Sequence, residues 1–386
     1  MRYVLTGGGT GGHVHPALAI KDILKQHNPA AEFLYIGAAG KAEEYIFRSL
    51  SPQDTIPVHY VQARGLPRTK NIVKLFPFFK DLLSGTYASM KVLQRYSPNV
   101  IIATGGYVSA PVIFAGYVKR KKIVIHEQNS VPGLVTTVMS RFADKVLVTF
   151  PETVDYFPPG KAKFVGYPVR RNIIRYDKTA VRERLGIHSG VYVVFIFGGS
   201  SGAQLINECV VNSIGTMLQN EGVVVVHGTG RDIPGGLRLY SDTVEAVNVL
   251  YSNAAFRERY IIRDYIQDID AVYSAADVVM SRAGAGTIME CAALGIPMIL
   301  IPKSGLPGDH QTKNAESVEK IGGGIIIPEV KRSGIKTIDG ELVIKTVTAL
   351  LHDTHRLSEM SANIQKLYNH NCKELILQEI TSLFKN

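Results

Sequence analysis

Short apolar runs punctuate the first part of the chain: "RYVLTGG", "EFLYIG", "NVIIATGG", "KIVIHEQ" and "KVLVTF". Each is too short for a helix, and the segments between them carry helical spacing. That alternation predicts repeated β-α units on a parallel sheet. Near "VGYPVRRNI" the pattern restarts with "VYVVFIFGGSSGAQLINECV", "GVVVVHG", "YIIRDYI", "DVVMSRAGAGTIMECAALG" and "PMILIP". The chain therefore reads as α/β, with two doubly wound parallel-sheet domains. Both open alike, as strand, glycine turn and helix, at Val4 to Ile20 and again at Tyr192 to Val210. Two phosphate-competent turns predict a ligand in a cleft between the domains.

One run departs from the pattern. Val100 to Val118 is uncharged and precedes "KRKK", as a membrane-spanning helix with a positive flank would. Gly105, Gly106, Pro111 and Gly116 interrupt it, and "NVIIATGGY" reads better as a buried strand ending in a loop.

Composition narrows the class. A length of 386 residues exceeds what one core usually organises, and 46% hydrophobic with 20% charged residues describes a folded chain. Cys209, Cys291 and Cys372 are odd in number and far apart, which fits a reducing cytosol. Met1 leads directly into a strand, so no secretory signal is expected.

The net charge of +10 is concentrated. From Tyr60 to Lys122 stand Arg64, Arg68, Lys70, Lys74, Lys80, Lys91, Arg95, Lys119, Arg120, Lys121 and Lys122 against Asp81 alone. Such a face serves nucleic acid, an anionic membrane or a phosphorylated substrate. Within "TKNIVKLFPFFKDLL", Leu75, Phe76, Phe78, Phe79, Leu82 and Leu83 sit beside Lys70, Lys74 and Lys80. The mixture suits a headgroup boundary, or a half-buried helix with solvated lysines. No nucleic-acid motif accompanies the charge, so a nucleic-acid partner is not expected.

Gly7, Gly9 and Gly12 satisfy G-x-G-x-x-G. A nicotinamide cofactor also needs a carboxylate at the end of the second strand. After "EFLYIG" come Gly37-Ala38-Ala39-Gly40, with Glu43 and Glu44 further on in a helix, so that reading fails. "HEQNS" lacks the second His of a zinc peptidase helix, and no Walker lysine motif exists. In "DID", Asp268 to Asp270, one Asp is expected to be a helix N-cap rather than a metal ligand.

What remains are polar residues lodged in glycine turns: Thr10, His13, Asn129, Arg170, Ser200, Ser201, Thr287, Glu290 and Gln311. In order along the chain, "GGTGGHVHPALA", "TGGYVSAP", "HEQNSVPGL", "VGYPVR", "GGSSGA", "SRAGAGTIMECAALGIPMILIP" and "DHQTKNA" resemble the MurG family. These are membrane-associated UDP-N-acetylglucosamine transferases of peptidoglycan synthesis. The resemblance covers essentially the whole chain. It implies a glycosyltransferase B fold of two Rossmann-like domains. It also implies transfer of GlcNAc from UDP-GlcNAc to undecaprenyl-linked lipid I, giving lipid II with inversion and no essential bound metal. UDP-GlcNAc is then substrate, no cofactor is expected, and wall-synthesis proteins are further partners. The expected site is the cytoplasmic face of the cell membrane, peripherally bound. Residues 1–163 would form the acceptor and membrane-docking domain and 164–355 the UDP-GlcNAc domain, with 356–386 a helix returning to the first.

The resemblance also implies roles. The donor side would hold Thr10, Gly11, Gly12, Asn129, Arg170, Ser200, Ile266, Ala285, Gly286, Thr287, Glu290 and Gln311. The acceptor side would hold Gly105, Gly106, Tyr107, His126 and Glu127. Glu290, one turn after "AGAGT", can accept both ribose hydroxyls, or else cap its own helix with Thr287. Ser200 and the amides after Gly199 start a helix and can hold a phosphate. Arg170 offers a fork for the diphosphate, or is a surface charge beside Arg171. Asn129 and Gln311 either bond the donor sugar or serve as turn and helix-start residues. Inversion needs a base on the acceptor hydroxyl, and His13, at a helix N-terminus whose dipole disfavours imidazolium, is the best candidate. It could instead donate to a phosphate or sugar oxygen. His15, before Pro16, is expected to be structural. Tyr167 stands where the family commonly has Asn, and Ser201 where it has Gln, departures expected to touch the donor side. A transferase to another lipid such as diacylglycerol, and a non-transferase such as an epimerase, are the alternatives. The first would lack the "GGYVSAP" and "HEQN" blocks, and the second needs no membrane patch.

Overall fold

The structure, a computed structural model, describes all residues except 41, 50–53, 66, 68–71, 171, 172, 174, 200, 201, 234, 252, 306, 385 and 386. The chain divides into two compact units, Met1–Arg171 with Asn369–Asn386, and Asn172–Tyr368.

The first unit alternates β1 (Arg2–Thr6), α1 (Gly11–His27), β2 (Glu32–Ala38), α2 (Ala42–Ser49), β3 (Val58–Val61), α3 (Ile72–Tyr96), β4 (Val100–Ala103) and α4 (Ser109–Val118). It continues with β5 (Lys122–Glu127), α5 (Leu134–Met139), β6 (Lys145–Val148) and β7 (Ala162–Phe164). All its strands are parallel, in the order β3-β2-β1-β4-β5-β6-β7. Strands buried on both faces explain the unbroken apolar runs. On one face Tyr3, Leu5 and Val124 pack against α1; on the other Val4, Ile101 and Ile125 pack with Val112 and Ile113 of α4. The interrupted run Val100–Val118 is thus β4, a turn and α4. No helix among the described residues is long and apolar enough to cross a membrane.

The second unit runs α6 (Lys178–Arg184), β8 (Tyr192–Phe197), α7 (Gln204–Met217), β9 (Val223–Gly228), α8 (Leu239–Leu250), α9 (Ala254–Arg259), β10 (Tyr260–Arg263) and α10 (Ile269–Ala275). There follow β11 (Val278–Ser281), α11 (Ala285–Leu294), β12 (Met298–Leu300), α12 (His310–Lys320) and β13 (Gly324–Ile326). An antiparallel hairpin, β14 (Glu329–Arg332) with β15 (Ile335–Ile338), precedes α13 (Gly340–Leu351) and α14 (Thr354–Gln365). Its six-stranded sheet is parallel in the order β10-β9-β8-β11-β12-β13.

The last helix, α15 (Cys372–Thr381), belongs to the first unit, where Cys372, Ile376 and Ile380 enter the core beneath α1. Lys145 and Lys163 both pair with Glu379 and tie α15 to the sheet edge. In each sheet the strand order reverses between the opening strand and the fourth, at β1/β4 and β8/β11. Ligands of open α/β sheets bind at the carboxyl ends of such strands, and the glycine turns lie there.

Candidate functional site

In the first unit two glycine turns meet at the carboxyl ends of β1 and β4. Gly8 N donates to Gly105 O at 3.2 Å. Gly106, at φ +77°, lies so close to Gly8 that a Cβ would overlap the Gly8 carbonyl, so no larger residue fits. A Cβ on Gly7 would strike Thr104, and one on Gly8 the carboxylate of Glu43, which is fully buried under the turn. Gly9 lies against the ring of half-buried Tyr107. Burial, with Glu43 nearby, raises the Tyr107 pKa. Thr10 is the exposed N-cap of α1, and Gly11 and Gly12 form its first turn.

His13 follows in that turn, and its tautomer is fixed by geometry. Its Nδ1 lies 2.8 Å from Thr104 O and 3.0 Å from Gln128 Oε1. A carbonyl only accepts, so Nδ1 carries a proton, and in the neutral ring the lone pair is on Nε2. The network continues inward. Gln128 Nε2 donates to His126 Nδ1 at 3.1 Å, and His126 Nε2 donates to Gly166 O at 3.0 Å. Burial holds His126 neutral, its pKa pushed down to about 4. Because His126 Nδ1 must accept, Gln128 is forced to present its oxygen to His13. Thr104 Oγ1 also donates to the His13 carbonyl at 2.6 Å and fixes the start of the helix.

Glu127 is buried, with both oxygens engaged. Oε1 accepts from the backbone N and Nδ2 of Asn129 at 3.0 and 3.1 Å, and Oε2 from Gly133 N at 3.1 Å. It shapes the loop that carries Asn129. Arg170 is half-buried after β7 and close enough to act on His15, whose pKa burial and then Arg170 lower to about 4. Tyr167, expected to touch the donor side, is buried in the first unit, its ring centroid 6.3 Å from that of His126 in an edge-on arrangement.

In the second unit the turn after β8 is longer than expected. Helix α7 begins at Gln204, not just after Gly199, because Gly202 at φ +71° first turns the chain against Thr229. Ser200 and Ser201 lie outside the described residues. Ile266 is half-buried over Gly228 at the end of β9. After β11, Gly284 is the N-cap of α11, with Ala285, Gly286 and Thr287 in its first turn. Glu290 is in the second turn, so it forms no capping box. Its buried carboxylate accepts from Tyr273 OH at 3.1 Å, and Phe195 and Phe197 enclose the Tyr273 ring. Gln311 opens α12 and accepts from Lys303 N at 2.9 Å through Oε1. Asp268 is the N-cap residue of α10, but its side chain makes no capping hydrogen bond.

Along α3, Phe76, Phe79, Leu83 and Tyr87 are exposed at helical spacing, Phe76 and Leu83 by 70% and 71%. Phe78 is half-buried against Phe79, and Lys80 is exposed. Lys70 lies outside the described residues, as do the side chains of Lys74 and Leu75. Helix α4, packed on α3, exposes Phe114, Tyr117 and Val118, and α5 exposes Leu134 and Val138.

Three residues enter the site that sequence reasoning did not assign. Gln128 was visible inside "HEQN", between residues already chosen. Thr104 opens the double-glycine turn. Tyr273 gave no signal, because the sheet order alone brings α10 beside α11.

Comparison with known proteins agrees over the whole length. The N-terminal domain model of glycosyltransferase family 28 matches residues 3–148, and its C-terminal domain model residues 193–376. The chain is 32% identical to a UDP-N-acetylglucosamine–N-acetylmuramyl-(pentapeptide) pyrophosphoryl-undecaprenol N-acetylglucosamine transferase of Acetivibrio thermocellus, covering 100% of this chain and 99% of that one. Among solved structures it is similar to MurG of Acinetobacter baumannii, with a TM-score of 0.73 and 25% identity over 99% of both chains. A UDP-GlcNAc 2-epimerase of Neisseria meningitidis shares the fold, at a TM-score of 0.67 and 12% identity over 100% of both chains.

Proposed function

The chain belongs to glycosyltransferase family 28 and, within it, to the MurG N-acetylglucosaminyltransferases, and we propose that it moves GlcNAc from UDP-GlcNAc to undecaprenyl-linked lipid I, forming lipid II with inversion. The observation that carries this reading is the tautomer of His13, which leaves Nε2 as an acceptor at the glycine turn. Nε2 takes the proton of the acceptor hydroxyl while its oxygen bonds the anomeric carbon. The bond from that carbon to the diphosphate oxygen breaks, and UDP leaves with the electron pair. Gly105, Gly106, Tyr107, His126 and Glu127 shape the acceptor side, His126 and Glu127 from buried positions.

The second unit holds the nucleotide. Glu290, oriented by Tyr273, accepts from the ribose hydroxyls, and Ile266 covers the base. Ala285, Gly286 and Thr287 meet the diphosphate at the start of α11, and the amides of the glycine turn after Gly199, with Ser200, add to them ahead of α7. Arg170 balances the diphosphate charge, and Asn129, Gln311, Thr10, Gly11 and Gly12 complete the donor contacts. The reading uses UDP-GlcNAc as substrate and calls on no bound metal.

The exposed apolar row on α3, extended by Phe114 and Tyr117 of α4 and Leu134 of α5, docks on the anionic cytoplasmic face of the membrane among the lysines. The test is transfer of labelled GlcNAc from its UDP donor to a short-chain lipid I analogue. A labelled disaccharide lipid supports the proposal. Donor binding without that product contradicts the acceptor assignment.

A further inference from the structure

Within the second unit, the turn before α11 and the start of α12 come from separate segments, so something must hold them in register. A direct hydrogen bond from Asn314 to the Ala283 carbonyl does part of this, and one carboxylate adds a second link. Glu329, at the start of the β14–β15 hairpin, has a side chain only 2% exposed. Its Oε1 pairs with Arg282 Nη1 at 2.7 Å. Its Oε2 accepts from Ser304 N at 3.1 Å and Ser304 Oγ at 2.7 Å, with Lys336 Nζ 3.6 Å away. Burial works against the charge, but the Ser304 hydrogen bonds and the Arg282 guanidinium overcome it, and the carboxyl sits below its usual range.

The contacts close a ring. Arg282 precedes Ala283, whose carbonyl accepts from Asn314 of α12 at 3.2 Å. Gln311, on the same helix, accepts from Lys303 N, and Lys303 precedes Ser304, which returns to Glu329. Removing Glu329 therefore breaks the arm of the ring that runs from the turn leading to Glu290 to the loop leading to Gln311, and leaves the Asn314–Ala283 bond in place. It also takes the carboxylate partner from a buried guanidinium, whose Nη1 retains its hydrogen bond to Ile301 O.

We infer that Glu329 is a positioning residue for the donor: it sets Gln311 against the sugar relative to Glu290 against the ribose, so the hairpin governs how strictly the GlcNAc group is read. This rests on the UDP-GlcNAc assignment made above. Sugar recognition depends on the register of both segments, whereas UDP alone depends mainly on the α11 side.

The test compares affinities for UDP and UDP-GlcNAc by calorimetry in the full-length wild type, Glu329→Gln and Ser304→Ala, with melting temperatures recorded. Glu329→Gln should lose on the order of tenfold in affinity for UDP-GlcNAc, and no more than about threefold for UDP. Ser304→Ala, which leaves the buried pair intact, should lose less in the same sense, and it decides the matter if Glu329→Gln does not fold. Equal losses for both ligands, or none, would overturn the positioning role while leaving the donor assignment standing. A folded wild type that binds neither ligand would overturn the donor assignment itself, and the positioning role with it.

Discussion

His13 Nδ1 donates to the carbonyl of Thr104 at 2.8 Å, and that one contact decides which nitrogen of the imidazole can take a proton. Gln128 reinforces it, because its amide is oriented by His126 from the other side. His13→Ala should therefore lower kcat by roughly 10²- to 10⁴-fold while leaving UDP-GlcNAc affinity within about threefold. Gln128→Ala should cost less, on the order of tenfold, since the Thr104 carbonyl still holds the ring. Steady-state kinetics on both variants check this; a larger loss for Gln128→Ala than for His13→Ala would reverse the assignment.

Glu290 and Tyr273 act as a pair in the second unit. Glu290→Gln keeps the size but removes the charge, and should raise KM for UDP-GlcNAc about tenfold. A 2′-deoxyuridine donor should be poorer than the ribose donor for the wild type and nearly equal to it for the variant. Tyr273→Phe should show the same trend more weakly. Unchanged discrimination in Glu290→Gln would place the ribose elsewhere.

Phe76 and Phe79 are exposed where a buried helix face would hide them. Replacing both by Ser should cut binding to vesicles containing anionic lipid about 100-fold, from the apolar burial lost. Added salt should weaken the binding that remains, through the lysines. Donor affinity should not change. Equal vesicle binding by wild type and variant would contradict the patch.

Two buried histidines predict an acid limit. Burial lowers His126 to about 4 and His227 to about 3, against an ordinary 6.5. Between these values the unfolded chain binds protons that the fold refuses. Stability is therefore full above pH 6.5 and is lost as pH falls toward 4. Below about 4.5, Glu329 and Glu379, held below their usual range, add to the loss. Melting temperatures across this range should fall steadily, and less steeply for His227→Gln. A flat profile would show that neither ring is held neutral.

Much of the fold was legible because parallel strands buried on both faces leave unbroken apolar runs, and the glycine turns mark their carboxyl ends. The restart near "VGYPVRRNI" similarly marked a second sheet. Misreadings arose where distant contacts decide local structure. Gly202 against Thr229 delays α7 to Gln204. Tyr273, the partner of Glu290, was hidden for the same reason, and Thr104 and Gln128, though they lie inside quoted motifs, are brought to His13 by strand order, which spacing along the chain does not express. Glu329 was invisible because its role depends on a hairpin closing back over two loops.

The central claim is that His13 deprotonates the acceptor hydroxyl in a transfer from UDP-GlcNAc to lipid I. It is tested most directly by single-turnover transfer of labelled GlcNAc to a short-chain lipid I analogue, wild type against His13→Ala, with both substrates saturating. The account predicts lipid II formation by the wild type and a chemical step slowed at least about 100-fold in the variant, with donor still bound. Equal single-turnover rates would contradict it.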